Sequence, residues 1–156
     1  MKKLIYVVII VIILALGITF LLNSGNSNTS TTPSNNYTGQ YMSFQYPTGW
    51  NITEMNENQT VELNKSSDWI QVLLIGTAQS SDGLQNYTQE DIDLGDMYKS
   101  QGTYYNNVSN TSYQVFTGNY NNTAMTIYLF NKNGSYFEVR GTGNLDAYDE
   151  IVATIH

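Results

Sequence analysis

One run of acidic residues has the composition of a cation site. Glu90, Asp91, Asp93 and Asp96 lie close together, and Ca²⁺ is bound by oxygen ligands of this kind. The run lacks the alternating oxygen ligands and the bidentate glutamate of an EF-hand loop, and its aspartates would not converge on a helix. We therefore predict the solvated start of a helix here, and no metal site.

Carboxylates are also the main candidates for acid–base catalysis. The chain has no cysteine and one histidine, His156, which argues against a thiol nucleophile and a histidine metal cluster. Glu54, Glu62 and Glu138 could lie on strands of one sheet, but glycoside hydrolysis needs two carboxylates opposed across a cleft. Nothing in the sequence selects such a pair, so we predict no catalytic residue and no cofactor. A carboxylate-based hydrolase stays as an alternative.

Tyrosine is the most conspicuous candidate for recognition. The chain has 13 tyrosines, and those of the second half include Tyr104, Tyr105, Tyr113, Tyr120, Tyr128, Tyr136 and Tyr148. Tyrosine is favoured at contact surfaces because it is large, rigid and amphipathic. The pattern allows either an exposed tyrosine-lined face or ordinary packing.

Charge and sequons describe the outer surface. The net charge of −7 argues against a nucleic-acid partner. Ten Asn-x-Ser/Thr triplets occur, whereas this composition gives about four by chance; such a triplet is the acceptor for a bulky N-linked glycan. The excess favours glycosylation at several sites, with compositional bias as the alternative. The candidates are Asn28, Asn36, Asn51, Asn58, Asn64, Asn86, Asn107, Asn110, Asn121 and Asn133.

A membrane anchor is predicted near the N-terminus. An uncharged apolar run begins at Leu4 and ends at Leu22, and as a helix it would span roughly 28 Å, close to the bilayer core. Lys2 and Lys3 precede it, so the positive-inside rule places residues 1–3 in the cytoplasm and the rest of the chain outside. A cleaved signal peptide is the alternative, although the run is long and lacks a small-residue cleavage site. The expected location is the cell membrane, crossed once.

A polar linker is predicted after the anchor. Residues 23–36 are only Asn, Ser, Thr, Gly and Pro, so they cannot bury enough apolar surface to offset the entropy lost on ordering. We predict a disordered linker over residues 23–40 and a folded extracytoplasmic domain over residues 41–156.

The folded domain is predicted to be α+β, an antiparallel sheet with helices packed on it. Apolar patterning and turn signals predict strands over residues 42–46, 50–54, 60–64, 69–75, 113–117, 125–130 and 135–140, the last two joined by an Asn133-Gly134 hairpin. The nearly continuous apolar run over 69–75 predicts a central strand covered on both faces. One helix is predicted to begin with Thr88 as its N-cap and to end at Gly102. Apolar residues at helical spacing from Leu145 to Ile155 predict a closing helix.

The start of this domain resembles a known family. Phe44-x-Tyr46-Pro47-x-x-Trp50 is similar to the opening of PsbP-like proteins, most of all the membrane-anchored PsbP-related surface proteins of archaea. The resemblance covers roughly residues 37–156 and implies a PsbP-like α/β/α sandwich. Plant members help to retain Ca²⁺ and Cl⁻ in photosystem II, but their histidine metal contacts have no counterpart here, where only His156 exists.

Anchor, linker, sequons and resemblance together predict a non-enzymatic binding or accessory module at the cell surface. Its expected partners are the membrane, through Leu4 to Leu22, and a surface polymer or a protein of a membrane complex. A passive glycosylated surface component is the second possibility, and an extracytoplasmic hydrolase the third.

Overall fold

The computed structural model describes residues 34–55, 59–107, 109–142 and 145–156. The predicted anchor, the linker up to residue 33, and the sequons at Asn28 and Asn58 lie outside these residues. Within the described part of the chain, no helix combines the length and the apolar character needed to cross a membrane.

Nine strands and two helices follow one another along the described chain. They are β1 (Ser34–Thr38), β2 (Ser43–Pro47), β3 (Asn51–Met55), β4 (Thr60–Lys65), β5 (Asp68–Thr77), α1 (Gly83–Met97), β6 (Lys99–Asn106), β7 (Thr111–Tyr120), β8 (Thr123–Lys132), β9 (Ser135–Gly141) and α2 (Leu145–Thr154). Strands β3 to β9 form a seven-stranded antiparallel sheet in the order β3-β4-β5-β9-β8-β7-β6, and β1 pairs with β2 in a separate hairpin. The predicted α+β architecture with an antiparallel sheet is confirmed.

The two faces of the sheet are covered by different elements. Because side chains alternate along a strand, Val72 and Val139 point to one face, and Gln71 and Glu138 point to the other. The first face packs against α2 and the β1–β2 hairpin, and we call it the α2 face. The second face packs against Leu94 of α1, and we call it the α1 face.

Three of the four residues that carry the family resemblance lie in the core of the α2 face, and Pro47 is partly exposed at the end of β2. Phe44, Tyr46 and Trp50 are each at most 8% exposed. Phe44 also packs against Tyr37 of β1, with 5.0 Å between ring centroids and the planes tilted by 39°. These aromatic side chains supply a large part of the apolar area buried between the hairpin and the sheet.

Strand β1 corrects the predicted linker. The prediction left residues 34–40 disordered, but Ser34–Thr38 pairs with β2 along its whole length. Tyr37 explains the difference, because its ring is 7% exposed and joins the core, while pairing satisfies the backbone groups on either side. The folded unit therefore begins no later than Ser34.

Helix α1 begins and ends earlier than predicted. It starts at Gly83, and Thr88 is an interior residue whose hydroxyl donates to the Leu84 carbonyl at 2.8 Å. A Cβ on Gly83 would lie 2.0 Å from the Thr77 carbonyl oxygen, so glycine permits the tight turn from β5 into the helix. After Tyr98 the chain becomes extended, because the segment that follows pairs with β7 as strand β6.

The predicted hairpin and closing helix are present. Asn133 and Gly134 have φ values of 54° and 80°, as a two-residue type I′ turn requires. Helix α2 buries Tyr148, Ile151 and Val152 completely. Its C-terminal carbonyls accept hydrogen bonds from the Lys132 ammonium, at 3.0 Å to Val152 and 2.9 Å to Ala153, which favourably pairs a cation with the negative end of the helix dipole.

Candidate functional site

A row of polar side chains crosses three strands of the α1 face. Glu62 on β4 is opposite Gln71 on β5, and Gln71 is opposite Arg140 on β9. Directly opposed residues of antiparallel strands have Cβ atoms about 5 Å apart, so these three side chains are forced together by the register alone. We call Glu62, Gln71 and Arg140 the polar row.

Hydrogen bonds fix the polar row. The Gln71 amide donates to one oxygen of Glu62 at 2.9 Å, and the Asn64 amide donates to the other at 2.8 Å. The Arg140 Nε donates to the Gln71 Oε1 at 3.4 Å. The bonds from Asn64, and then from Gln71, hold the pKa of Glu62 below its usual value, so this carboxylate is ionised at neutral pH.

A buried carboxyl lies beside the row. Glu138 is two residues before Arg140 on the same face of β9 and is 1% exposed. Its Oε1 is 3.2 Å from the Arg140 Nε, close enough for strong attraction, although this oxygen accepts no hydrogen bond of good geometry among the described residues. Burial raises the pKa of Glu138 to about 8, the Arg140 charge opposes that rise, and a hydrogen bond and the charge of Glu90 on α1 add to it. The Glu138 carboxyl therefore holds its proton to a higher pH than an exposed glutamate does.

Aromatic side chains line the space above the polar row. Trp69 and Tyr120 meet edge to face, with centroids 6.2 Å apart and planes at 74°, and we call this pair the aromatic wall. Tyr98 lies against Gly118, where any Cβ would be 2.5 Å from its ring. The resulting half-open groove has a volume of about 460 Å³. It is lined by Glu62, Asn64, Trp69, Gln71, Tyr98, Tyr120, Met125 and Arg140, and we call it the α1-face groove.

Gly141 permits the close packing beside this groove. Its φ is +153°, and a Cβ there would lie 2.0 Å from the Trp69 carbonyl oxygen. The next residue, Thr142, accepts a hydrogen bond from the Trp69 amide at 3.2 Å through its hydroxyl. Backbone contacts thus hold Trp69 in place beside Arg140.

The structure separates the three carboxylates considered for catalysis. Glu62 and Glu138 share the α1 face, but β5 lies between their strands, a separation of about 10 Å at the usual spacing of 4.7–4.9 Å. Glu54 is opposite Val61 and therefore belongs to the other face. Glu62 is occupied by two amides and Glu138 is buried, so the groove presents fixed hydrogen-bonding groups and no opposed carboxylate pair.

The acidic run does not form a metal centre in the described chain. Residues 34–55, 59–107, 109–142 and 145–156 hold no group of three His, Cys, Asp or Glu side chains able to bind one ion. Asp91 and Asp93 lie on α1, and Asp93 accepts a hydrogen bond from Gln89 at 2.8 Å. His156 instead ties the C-terminus to β2 through backbone hydrogen bonds with Ser43 at 2.9 and 3.0 Å.

The sequons differ in their surroundings. Seven of the acceptors lie on the exposed surface, namely Asn36, Asn51, Asn86, Asn107, Asn110, Asn121 and Asn133. Asn64 is half-buried in the α1-face groove, and its amide nitrogen, the atom a glycan would join, donates to Glu62.

The tyrosines divide between surface and core. Tyr104, Tyr105 and Tyr120 are 50%, 54% and 53% exposed, whereas Tyr128, Tyr136 and Tyr148 are buried. On the α2 face a stack runs from Tyr104 through Tyr113 and Tyr128 to Tyr148, with centroid separations of 6.1, 4.7 and 5.2 Å. Both sequence interpretations are therefore partly right, because the stack begins at the surface and ends in the core.

Sequence reasoning named Glu62 and Glu138 but overlooked their neighbours. Gln71 and Arg140 become visible only through the register of β4, β5 and β9. One signal was available, since Gln71 interrupts an otherwise apolar run from Trp69 to Ile75 and so marks a polar place on one face.

Comparison with known proteins gives structural likenesses alone. No family model matches the chain, and no curated protein matches it. A cyanobacterial PsbP (CyanoP) from Synechocystis sp. PCC 6803 aligns with a TM-score of 0.48 and 10% identity, over 85% of this chain and 96% of that one. A protein from Bacteroides thetaiotaomicron VPI-5482 aligns with a TM-score of 0.47 and 16% identity, over 79% of this chain and 47% of that one, so this chain spans about half its length.

Proposed function

We propose that this chain is a membrane-anchored, extracytoplasmic, non-enzymatic module of PsbP-like type that binds a cell-surface partner through the α1-face groove. The apolar run from Leu4 to Leu22, the polar linker and the excess of sequons support an extracytoplasmic position. The buried Phe44, Tyr46 and Trp50 support the PsbP-like resemblance.

The observation that carries the binding role is the fixed polar row beneath an aromatic wall. Glu62, Gln71 and Arg140 hold one another in place, so a ligand meets groups whose side-chain entropy has already been lost. A groove that combines aromatic surface with a few oriented polar groups is the usual form of a ligand site. A passive surface component has no need of such a groove, which favours the binding role.

The hydrolase alternative has one observation in its favour. The raised pKa of Glu138, about 8, is of the kind seen in general acids. Glu138 is nevertheless 1% exposed and faces α1, which leaves little access for a substrate. We therefore expect no glycosidase activity from the purified chain, and no change of any background rate in Glu62→Gln or Glu138→Gln. Turnover that both variants abolish would establish the hydrolase instead.

Anchoring and sidedness are tested on whole cells that express the full chain with a C-terminal tag. The tag is expected in the membrane fraction after carbonate washing and to be removed by protease added outside intact cells. A chain recovered untrimmed in the soluble cytoplasmic fraction would overturn the proposal.

Binding is tested by retention of the detergent-solubilised full chain on isolated cell-envelope polymer. Tyr120→Ala is expected to reduce retention at least five-fold, because it removes half of the aromatic wall. Tyr105→Ala is the matched control, since Tyr105 is as exposed as Tyr120 but lies on β6, outside the groove. Equal retention of both variants and the unmodified chain would exclude the groove as the binding site.

A further inference from the structure

We propose that the α1-face groove binds an acidic sugar, a pyranose ring that carries a carboxylate, such as a uronic acid unit of a surface polysaccharide. This inference rests on the proposed binding function and names the ligand class of the same groove. Arg140 would take the carboxylate, Glu62 the hydroxyls, and the Trp69–Tyr120 wall the ring face.

Arg140 supplies the charge selectivity. It is the one arginine in a chain whose net charge is −7, and it lines the groove with a third of its side chain exposed. Its Nε donates a hydrogen bond to Gln71 at 3.4 Å and lies 3.2 Å from the Oε1 of the buried Glu138. A guanidinium fixed in this way suits a carboxylate, whose two oxygens match the fork of N–H donors.

Glu62 gives the groove its preference for hydroxyl groups. Its carboxylate accepts two hydrogen bonds, from Asn64 and Gln71, which leaves acceptor capacity for further donors. It repels a second carboxylate but accepts bonds from neutral O–H groups, so a ligand must carry its anion near Arg140 and its hydroxyls near Glu62. A hydroxylated ring with one acidic substituent meets both conditions.

The aromatic wall favours a ring. Tyr120 is 53% exposed and stands edge to face with Trp69. The C–H groups on one face of a pyranose are weakly positive and pack on the negative face of an aromatic ring. The groove volume of about 460 Å³ leaves room for such a ring beside the wall.

The backbone beneath the groove argues against an extended peptide. Strands β4, β5, β9 and β8 are each paired on both sides within the sheet. An extended peptide binds chiefly by adding a strand to a free edge, and here the main-chain groups are already used. Recognition must come from side chains, as it does for sugars.

The test uses the full chain in detergent micelles and two probes, trigalacturonate and its fully methyl-esterified form, which share one backbone and differ in charge. Calorimetric titration is expected to show at least ten-fold tighter binding of the acid, with an affinity that falls as salt is raised. Arg140→Gln should remove this preference, whereas Lys99→Gln, which removes an exposed charge on β6, should preserve it. Equal affinity for the two probes would overturn the proposal.

Additional variants keep the result interpretable if Arg140→Gln perturbs the fold. Tyr120→Ala should weaken both probes at least five-fold and Tyr105→Ala neither, because both side chains are exposed and neither variant empties the core. If both probes bind equally and Tyr120→Ala weakens both, the ligand need not be acidic, but the groove is still the binding site. If neither probe binds but a peptide with a free C-terminal carboxylate does, the proposal that the ligand is a sugar is wrong. If neither probe binds and envelope retention is also insensitive to Tyr120→Ala, the proposed function fails as well.

Discussion

The same strands form both faces of the seven-stranded sheet, but the two faces differ in the residues that they carry. The α2 face is apolar and aromatic, and α2 and the β1–β2 hairpin pack on it. The α1 face has a smaller apolar cluster around Leu94 and Phe116, with the polar row beside it. The difference shows that a strand can support the core with every second residue and leave the alternate residues to build a site.

Core truncation on the α2 face is expected to have the largest effect. Phe130 is fully buried, so Phe130→Ala should lower the free energy of unfolding by about 3–5 kcal/mol through lost burial and the cavity left behind. Urea unfolding of the solubilised full chain measures this. Tyr105→Ala, on the exposed edge strand, should change it by less than about 0.5 kcal/mol. Similar losses of unfolding free energy in both variants would contradict the view that the buried core stabilises the fold far more than the exposed edge strand does.

Gly141 is the last residue of β9, and its substitution should have the second largest effect. Gly141→Ala places a methyl group against the Trp69 carbonyl oxygen at a φ of +153°, and we expect a loss of about 2 kcal/mol or more. Gly95→Ala is the control, because nothing lies within 4 Å of a Cβ there, and it should be neutral or mildly stabilising. A smaller loss at Gly141 than at Gly95 would show that the strand end is not so tightly packed.

The α1 face should give the protein a stability that depends on pH near neutrality, through Glu138. The pKa of Glu138 rises from 4.5 to about 8 on folding, so between these values the folded chain binds more protons than the unfolded chain. The stability contributed by this group is complete below about pH 4.5, declines as pH rises, and is lost above about pH 8. Unfolding titrations between pH 5 and 8.5 should show the decline, and Glu138→Gln should flatten it. Stability that does not change over this range, in the unmodified chain as in Glu138→Gln, would mean that Arg140 keeps Glu138 ionised.

Glycosylation should also distinguish the groove from the exposed turns, and of the changes considered it should have the smallest effect on stability. Asn121 occupies an exposed turn, whereas the Asn64 amide donates to Glu62 inside the groove. If the chain is glycosylated as proposed, mass spectrometry of the natively expressed chain should find Asn121 occupied and Asn64 bare. A glycan on Asn64 would fill the groove and contradict its role as an open site.

Local patterns predicted most of the sheet because they depend on neighbours in sequence. The Asn133-Gly134 turn and the alternation in β2 need no distant partner. The predictions failed where contacts between residues distant in sequence determine the local structure. Helix α1 starts at Gly83 because β5 ends beside it, and β1 is a strand because Tyr37 reaches the core beside Phe44.

The candidate site was predictable only in part. Glu62 and Glu138 could be named as carboxylates on strands, but their environments could not. One became an ionised acceptor between two amides, and the other a buried acid with a raised pKa. Burial and hydrogen bonding set these properties, and both arise when β5 is inserted between β4 and β9.

The sequence by itself determined the class of the domain, the aromatic core signature and the pattern of polar and apolar residues along each strand, because these follow from local stereochemistry and hydrophobicity. Only the tertiary structure decided which polar residues meet. Strand order and register bring Glu62, Gln71 and Arg140 into contact across 78 residues of chain, and pairing over such separations depends on the packing of the whole sheet.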